Sequence, residues 1–229
     1  MKKNKVVLKG ENGDRWLKKA VRKVALIADL YAGSEYAPMF RTETNEGRPL
    51  LPSKAQKKLN KFLLKCAEII KHFQADTIIT LGDLIQGTNR KSFGRETVTT
   101  DLEVQKRIAK DLLRRLIAGR KVKVYGVNGS NYHKSIDTEP EKEIIEAVGG
   151  HFLGRLAWLE LEGTKILLNI AHKGANATIY PVSALEREAV QIQRAIAAGK
   201  LPVKRSPVKR RHKLVSPPAR LLPLQAVAT

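Results

Sequence analysis

Four polar stretches of this chain carry residue types that hold divalent cations, and each follows an apolar, β-branched run. Val24-Ala25-Leu26-Ile27-Ala28 leads into Asp29-Leu30-Tyr31, and Thr77-Ile78-Ile79-Thr80-Leu81 leads into Gly82-Asp83. Val122-Lys123-Val124-Tyr125-Gly126-Val127 leads into Asn128-Gly129-Ser130-Asn131-Tyr132-His133. Lys165-Ile166-Leu167-Leu168-Asn169-Ile170-Ala171 leads into His172-Lys173-Gly174. Each run reads as a strand that delivers a carboxylate, amide or imidazole to one edge of a sheet. Ligand sites of α/β sheets lie just beyond the carboxyl ends of the strands. Asp, Asn and His converging there read as metal ligands. Each residue alone also has a plainer reading: Asp29 as a cap, Gly82-Asp83 as a turn, His133 as a surface loop residue.

The elements between these stretches are expected to place them together. A strand over about 22–28 is followed by a long loop carrying Gly33, Pro38, Gly47, Pro49 and Pro52. Ser53-Lys54-Ala55-Gln56 is a capping-box pattern. It opens a helix whose Leu59, Phe62, Leu63, Cys66, Ile69, Ile70 and Phe73 share one face by helical spacing, with lysines opposite. After the strand to Leu81, residues 82–99 read as a polar loop. Thr100-Asp101-Leu102-Glu103 opens a second helix, with Val104, Ile108, Leu112 and Leu116 inward and Gly119 as its stop. A short helix spans 138–148, and residues 155–161 and 165–171 read as a β-hairpin. Ser183 caps a last helix with Leu185, Ala189, Ile192 and Ile196 on one face.

Strand–helix alternation up to residue 127 implies an α/β fold with parallel crossovers. The later hairpin implies a second, antiparallel portion. Residues 1–20 read as a basic lead-in, 21–199 as the domain, and 200–229 as a basic, Pro-rich tail. That tail holds eight Lys or Arg and no Asp or Glu, a composition expected to stay disordered.

A chain of 229 residues can bury a full core. The net charge of +21 and pI near 10.2 favour polyanionic partners, DNA or RNA among them. No apolar run approaches the ~20 residues that span a bilayer, and no membrane partner is expected. The start lacks the apolar segment of a secretory leader. The one cysteine, Cys66, reads as a small core side chain, and a cytoplasmic location is expected. No phosphate-cradling nucleotide loop, Cys-x-x-Cys pair or nucleophile elbow is present in the sequence.

The order of these motifs resembles the calcineurin-like metallophosphoesterase superfamily, whose motifs are D-x-H, G-D, G-N-H-[DE], a lone His and G-H-x-H. Asp29-Leu30-Tyr31 stands for the first with Tyr in place of His, Gly82-Asp83 matches the second, and His172 fits the fourth. Gly129-Ser130-Asn131-Tyr132-His133 is similar to the G-T-x-x-H form found in viral, phage and archaeal members. The fifth motif has no clean match, Arg211-His212 being the late candidate. The resemblance covers roughly residues 20–200 and implies a β-sandwich flanked by helices, here C-terminally incomplete.

It implies a chemistry as well. A two-metal centre clamps the attacking and leaving oxygens of a phosphate and needs one bridging carboxylate. By the resemblance Asp83 bridges, Asp29 serves the first metal, and His172 with Ser130 or Asn131 serves the second. His133 protonates the leaving group or stabilises its charge. Mixed N and O donors suit Mn²⁺, with Fe or Zn²⁺ as alternatives. Tyr31 and the lost fifth motif remove imidazole ligands, so one or two ions are expected. The leading reading is a hydrolase of phosphate mono- or diesters, nucleic acid or nucleotides included, acting through metal-activated water. The alternative is a catalytically degraded relative that binds nucleic acid through its basic surface. A third reading is an interaction module in which the polar strand ends are coincidental. The oligomeric state stays open.

Overall fold

Apolar, β-branched segments build the centre of the molecule. The computed structural model describes residues 15–19, 23–88, 94–133, 139–161 and 167–172, with the single positions 190, 193, 194 and 198. In chain order the strands are β1 (Arg15–Lys19), β2 (Val24–Ile27), β3 (Thr42–Glu43), β4 (Pro49–Leu50), β5 (Thr77–Thr80), β6 (Lys123–Gly126), β7 (His151–Phe152), β8 (Leu156–Leu161) and β9 (Leu167–Ala171). The helices are α1 (Lys54–His72), α2 (Leu102–Ile117) and α3 (Pro140–Ala147).

The fold is mixed α/β. Strands β2-β5-β6-β7 form one sheet in that order, and every pair is parallel. Strands laid down in one direction by crossovers of one hand leave their helices on one face. The packing agrees: one cluster joins Leu63 and Ala67 of α1, Ile108 and Leu112 of α2, and Ile144 and Ile145 of α3. The other face meets a sheet of order β1-β8-β9. Ile79, Leu81, Tyr125 and Val127 pack there with Ala157 and Ile170. The period of two along β6 sends Tyr125 to this second core and Gly126 to the helices. A Cβ on Gly126 would stand 2.0 Å from Ile145 Cδ1, so glycine lets α3 settle onto the sheet.

The hairpin expected from the sequence is present, with Leu156 opposite Ala171 and Trp158 opposite Asn169. Trp158 is buried, as a packing residue should be. The strand β1 falls within the stretch read as a lead-in; it pairs in parallel with β8, Arg15 opposite Ala157. Pairing with a distant strand leaves no local signature in five residues. The helix expected from Ser183 and the tail over 200–229 lie outside the described residues, single positions of that helix excepted. No helix among the described residues is long and apolar enough to cross a membrane.

One face assignment needs correction. Helical spacing on α1 puts Phe62, Ile69 and Phe73 inward, yet they are 67%, 54% and 64% exposed. The helix instead buries Gln56, Asn60, Leu63 and Ala67, while Cys66 is partly buried against the core. The polar members go inside because the long loop before the helix needs partners for its backbone. Asn60 accepts from Met39 N at 2.9 Å and donates to Met39 O at 2.7 Å. Gln56 donates to Ser34 O at 3.2 Å while its Oε1 closes the capping box on Ser53 N. A buried backbone group left without a partner costs about 1–3 kcal/mol, enough to set the rotation of the helix. On α2 the expected inward residues Val104, Ile108, Leu112 and Leu116 are all buried. Its N-cap is Asp101, which accepts from Glu103 N and Val104 N.

Candidate metal centre

The chain leaves β2 and β5 as two segments that stay side by side. Leu81 N donates to Ile27 O at 2.7 Å, Asp29 N to Gly82 O at 3.2 Å, and Tyr31 N to Asp83 O at 3.1 Å. Within this ribbon Asp29, Tyr31 and Asp83 take φ values of 57°, 45° and 51°. Left-handed backbone costs a non-glycine residue roughly 1–2 kcal/mol. Such strain persists where neighbouring bonds over-determine it, and it gathers at functional sites.

The end of β6 presses onto the same place. A Cβ on Gly82 would lie 2.3 Å from Gly129 Cα, and one on Gly129 would lie 2.2 Å from Asp83 Oδ1. Two glycines therefore allow the backbones to touch. That contact brings Ser130 N within 2.6 Å of Asp83 Oδ1 and Ser130 Oγ within 3.1 Å of Oδ2, both donating. Asp83 is 2% exposed.

Two imidazoles complete the surroundings of Asp83. His172 Nε2 lies 3.0 Å from Asp83 Oδ2, and His133 Nε2 lies 3.8 Å from the same oxygen. The far nitrogens face backbone carbonyls: His172 Nδ1 to Leu81 O at 2.8 Å and His133 Nδ1 to Gln86 O at 2.7 Å. A carbonyl only accepts, so both Nδ1 atoms carry hydrogen and both Nε2 atoms are turned to the centre. Metal-binding histidines are oriented in this way by their second nitrogen. Ligand atoms of Asp29, Asp83 and His172 all lie within 4.8 Å of one another.

Tyr31 donates its hydroxyl to Asp29 Oδ1 at 3.0 Å. Its ring lies 4.8 Å from that of His133, tilted by 48°. Burial, the hydrogen bond to Asp29 and the charges of Asp29 and Asp83 push the phenol well above its ordinary range. It stays neutral and donates. Burial alone would raise the Asp83 carboxyl, but hydrogen bonds from His172 and Ser130 N and the charges of both histidines hold it below the usual range. Donating to the Asp83 carboxylate raises His172, against the opposing effect of burial.

Of the residues singled out in the sequence, Asp29, Asp83 and His172 converge, Ser130 sits against Asp83, and His133 borders it. Asn131 is exposed at the start of a 3-10 turn over Asn131–His133. Lys173, Gly174 and Arg211-His212 lie outside the described residues. Two contributors were missed. Gln105 of α2, fully buried, accepts from Gly87 N at 2.8 Å and donates to Gly87 O and Thr99 O. It thereby fixes the residue after Gln86, whose carbonyl orients His133. Glu141, also fully buried, brings Oε1 to 2.8 Å from where a Gly129 Cβ would stand. A polar residue on the apolar side of α2 was the available signal for Gln105; Glu141 had none beyond its place in the first turn of α3.

No protein-family model matches this chain, and no curated protein matches it. Among solved structures it is similar to a dimetal phosphatase from Danio rerio, at 16% identity over 76% of this chain and a TM-score of 0.35. The chain spans 52% of the length of that structure.

Proposed function

We propose that this chain is a metal-dependent phosphoesterase of the calcineurin-like kind. The observation that carries the reading is the convergence of Asp29, Asp83 and His172, with ligand atoms within 4.8 Å of one another, beside a histidine that is not one of the three. Two carboxylates and an imidazole whose Nε2 faces inward suit Mn²⁺, Fe or Zn²⁺. With Tyr31 tied to Asp29, the donor set favours one cation. Such a cation would polarise a phosphoryl oxygen and make a bound water acidic enough to act near neutral pH.

The chain's own groups divide the remaining work. Asp83 is held in its ionised form and in one rotamer by Ser130 and His172. Tyr31 fixes one oxygen of Asp29 and leaves the other for the cation. His133 presents Nε2 to the centre while Gln86 O holds its Nδ1 hydrogen. A proton on Nε2 is the one to pass to the leaving oxygen of an ester, a general-acid role suited to imidazole. The two-sheet core supports a β-sandwich of the superfamily's kind. The net charge of +21 suits a polyanionic ester such as DNA or RNA.

The test is hydrolysis of an aryl phosphodiester and an aryl phosphomonoester, with and without Mn²⁺, by wild type and Asp83→Asn. Mn²⁺-dependent turnover lost in Asp83→Asn is expected. Equal turnover by both proteins would refute the assignment. The replacement of a ligand imidazole by Tyr31 favours one other reading, a basic nucleic-acid-binding relative without catalysis. A folded protein with no turnover and steeply salt-dependent DNA affinity would establish that reading instead.

A further inference from the structure

Helix α1 carries two apolar stripes; the core takes one and, of the other, touches Cys66. The buried stripe runs through Asn60, Leu63 and Ala67. One residue back, and hence about 100° around the helix, runs a second: Leu59, Phe62, Cys66, Ile69 and Phe73. Its steps alternate three and four, the spacing of a helix seam that packs against another helix. Phe62, Ile69 and Phe73 are 67%, 54% and 64% exposed. The stripe is about 21 Å long at 1.5 Å per residue.

The border of this stripe is basic. Lys58, Lys61 and Lys65 stand one further step around the helix, and all are exposed. At the C-terminal end Lys23 Nζ lies 5.7 Å from the centre of the Phe73 ring. We propose that the outer face of α1 docks an acidic amphipathic helix of a partner protein. The partner's apolar seam would cover Phe62, Ile69 and Phe73, and its carboxylates would meet the three lysines.

Charge selects this occupant over the others. A second copy would bring lysine rows against each other. The chain's own segment 200–229 has no acidic residue and would be repelled likewise. A nucleic acid would satisfy the lysines but has no use for Leu59, Cys66 and Ile69. The two phenylalanines stand about 16 Å apart along the axis, too far to stack neighbouring bases.

The experiment uses a fluorescent 21-residue helical peptide with Leu at seam positions and Glu beside them, and a second peptide with Lys for every Glu. Anisotropy is read on the full chain. Wild type should bind the acidic peptide at least ten times more tightly than the basic one. Phe62→Ser/Ile69→Ser should lose the acidic peptide. Lys58→Glu/Lys61→Glu/Lys65→Glu should reverse the preference. Unfolding midpoints should stay near wild type, since all five positions are exposed, and Phe73→Ser provides an independent variant. Acidic-peptide binding that survives the apolar changes would overturn the proposal, as would an absent or charge-independent preference. So would single-stranded DNA binding lost with Phe62→Ser/Ile69→Ser, or a dimer in sedimentation abolished by that pair.

Discussion

Gly129→Ala tests whether backbone contact between two strand ends is what assembles the centre. A methyl group there would stand 2.2 Å from Asp83 Oδ1, 2.3 Å from Asp83 N and 2.8 Å from Glu141 Oε1. Ordinary contacts are about 3.5–4.0 Å. The Asp83 amide belongs to a segment bound to its neighbour through Tyr31 N, so the loop after β6 must withdraw. Withdrawal breaks the 2.6 Å bond from Ser130 N to Asp83 Oδ1 and the 3.1 Å bond from Ser130 Oγ. Overpacking costs about 1–3 kcal/mol, and a hydrogen bond to a charged group contributes about 1.5–3 kcal/mol. The expected destabilisation is therefore roughly 3–5 kcal/mol, a fall in Tm on the order of 10 °C for a domain of this size.

Gly47→Ala calibrates the measurement. Gly47 has φ +78°, and a methyl group added there would meet nothing within 4 Å. Its change therefore adds left-handed strain alone, about 1–2 kcal/mol. Urea unfolding of both variants gives the difference, and a Mn²⁺ titration reads the centre. Gly129→Ala should be the less stable by about 1–4 kcal/mol and should bind Mn²⁺ more weakly. A Gly129→Ala protein as stable as Gly47→Ala, with wild-type Mn²⁺ affinity, would refute the idea that this contact positions Ser130 and Asp83.

Other changes probe the surroundings. Tyr31→Phe removes the hydrogen bond that fixes Asp29 and should weaken Mn²⁺ binding by about tenfold, the lower range for an outer-sphere partner; unchanged affinity in a calorimetric titration would leave Tyr31 without that role. Asn60→Ala strips both partners from Met39's backbone and should cost about 2–5 kcal/mol in urea unfolding; a cost under ~1 kcal/mol would show that the loop finds other partners. In protein stripped of metal, the raised His172 stabilises fully below about pH 6.5 and loses this as pH rises through its folded pKa. The lowered Asp83 stabilises above about pH 4 and loses this as pH falls through its folded pKa. Tm of the stripped protein should therefore peak between about pH 4 and 6.5, with the alkaline decline flattened in His172→Asn; identical profiles would exclude the His172–Asp83 pair as its source.

Strand ends were legible because two signals coincide there. A β-branched run such as Thr77 to Thr80 needs burial on both faces, and its period breaks at Gly82-Asp83. The capping boxes at Ser53 and around Asp101 marked the start of both long helices to within a residue or two. What stayed hidden depends on distant partners. The rotation of α1 is decided by the unmet backbone of Met39 and Ser34, which no helical period encodes. Pairing of β1 with β8 joins residues far apart in sequence. Gln105 reaches the site through a loop carbonyl rather than through any motif of its own.

Tyr31 marks the distance between a motif and a site. In the sequence it reads as a lost ligand, because a phenol binds divalent metals poorly at neutral pH. In the fold it is a hydrogen-bond donor, kept neutral by burial and by the two carboxylates it faces, with its hydroxyl on Asp29 and its ring against His133. The neutral phenol commits its one hydrogen to Asp29, beside the cluster of Asp29, Asp83 and His172. Its ring also packs against His133, the acid of the proposed reaction. On the proposed reading, Tyr31 would bear on cation number and on the placement of the acid together, a coupling invisible to any comparison made one position at a time.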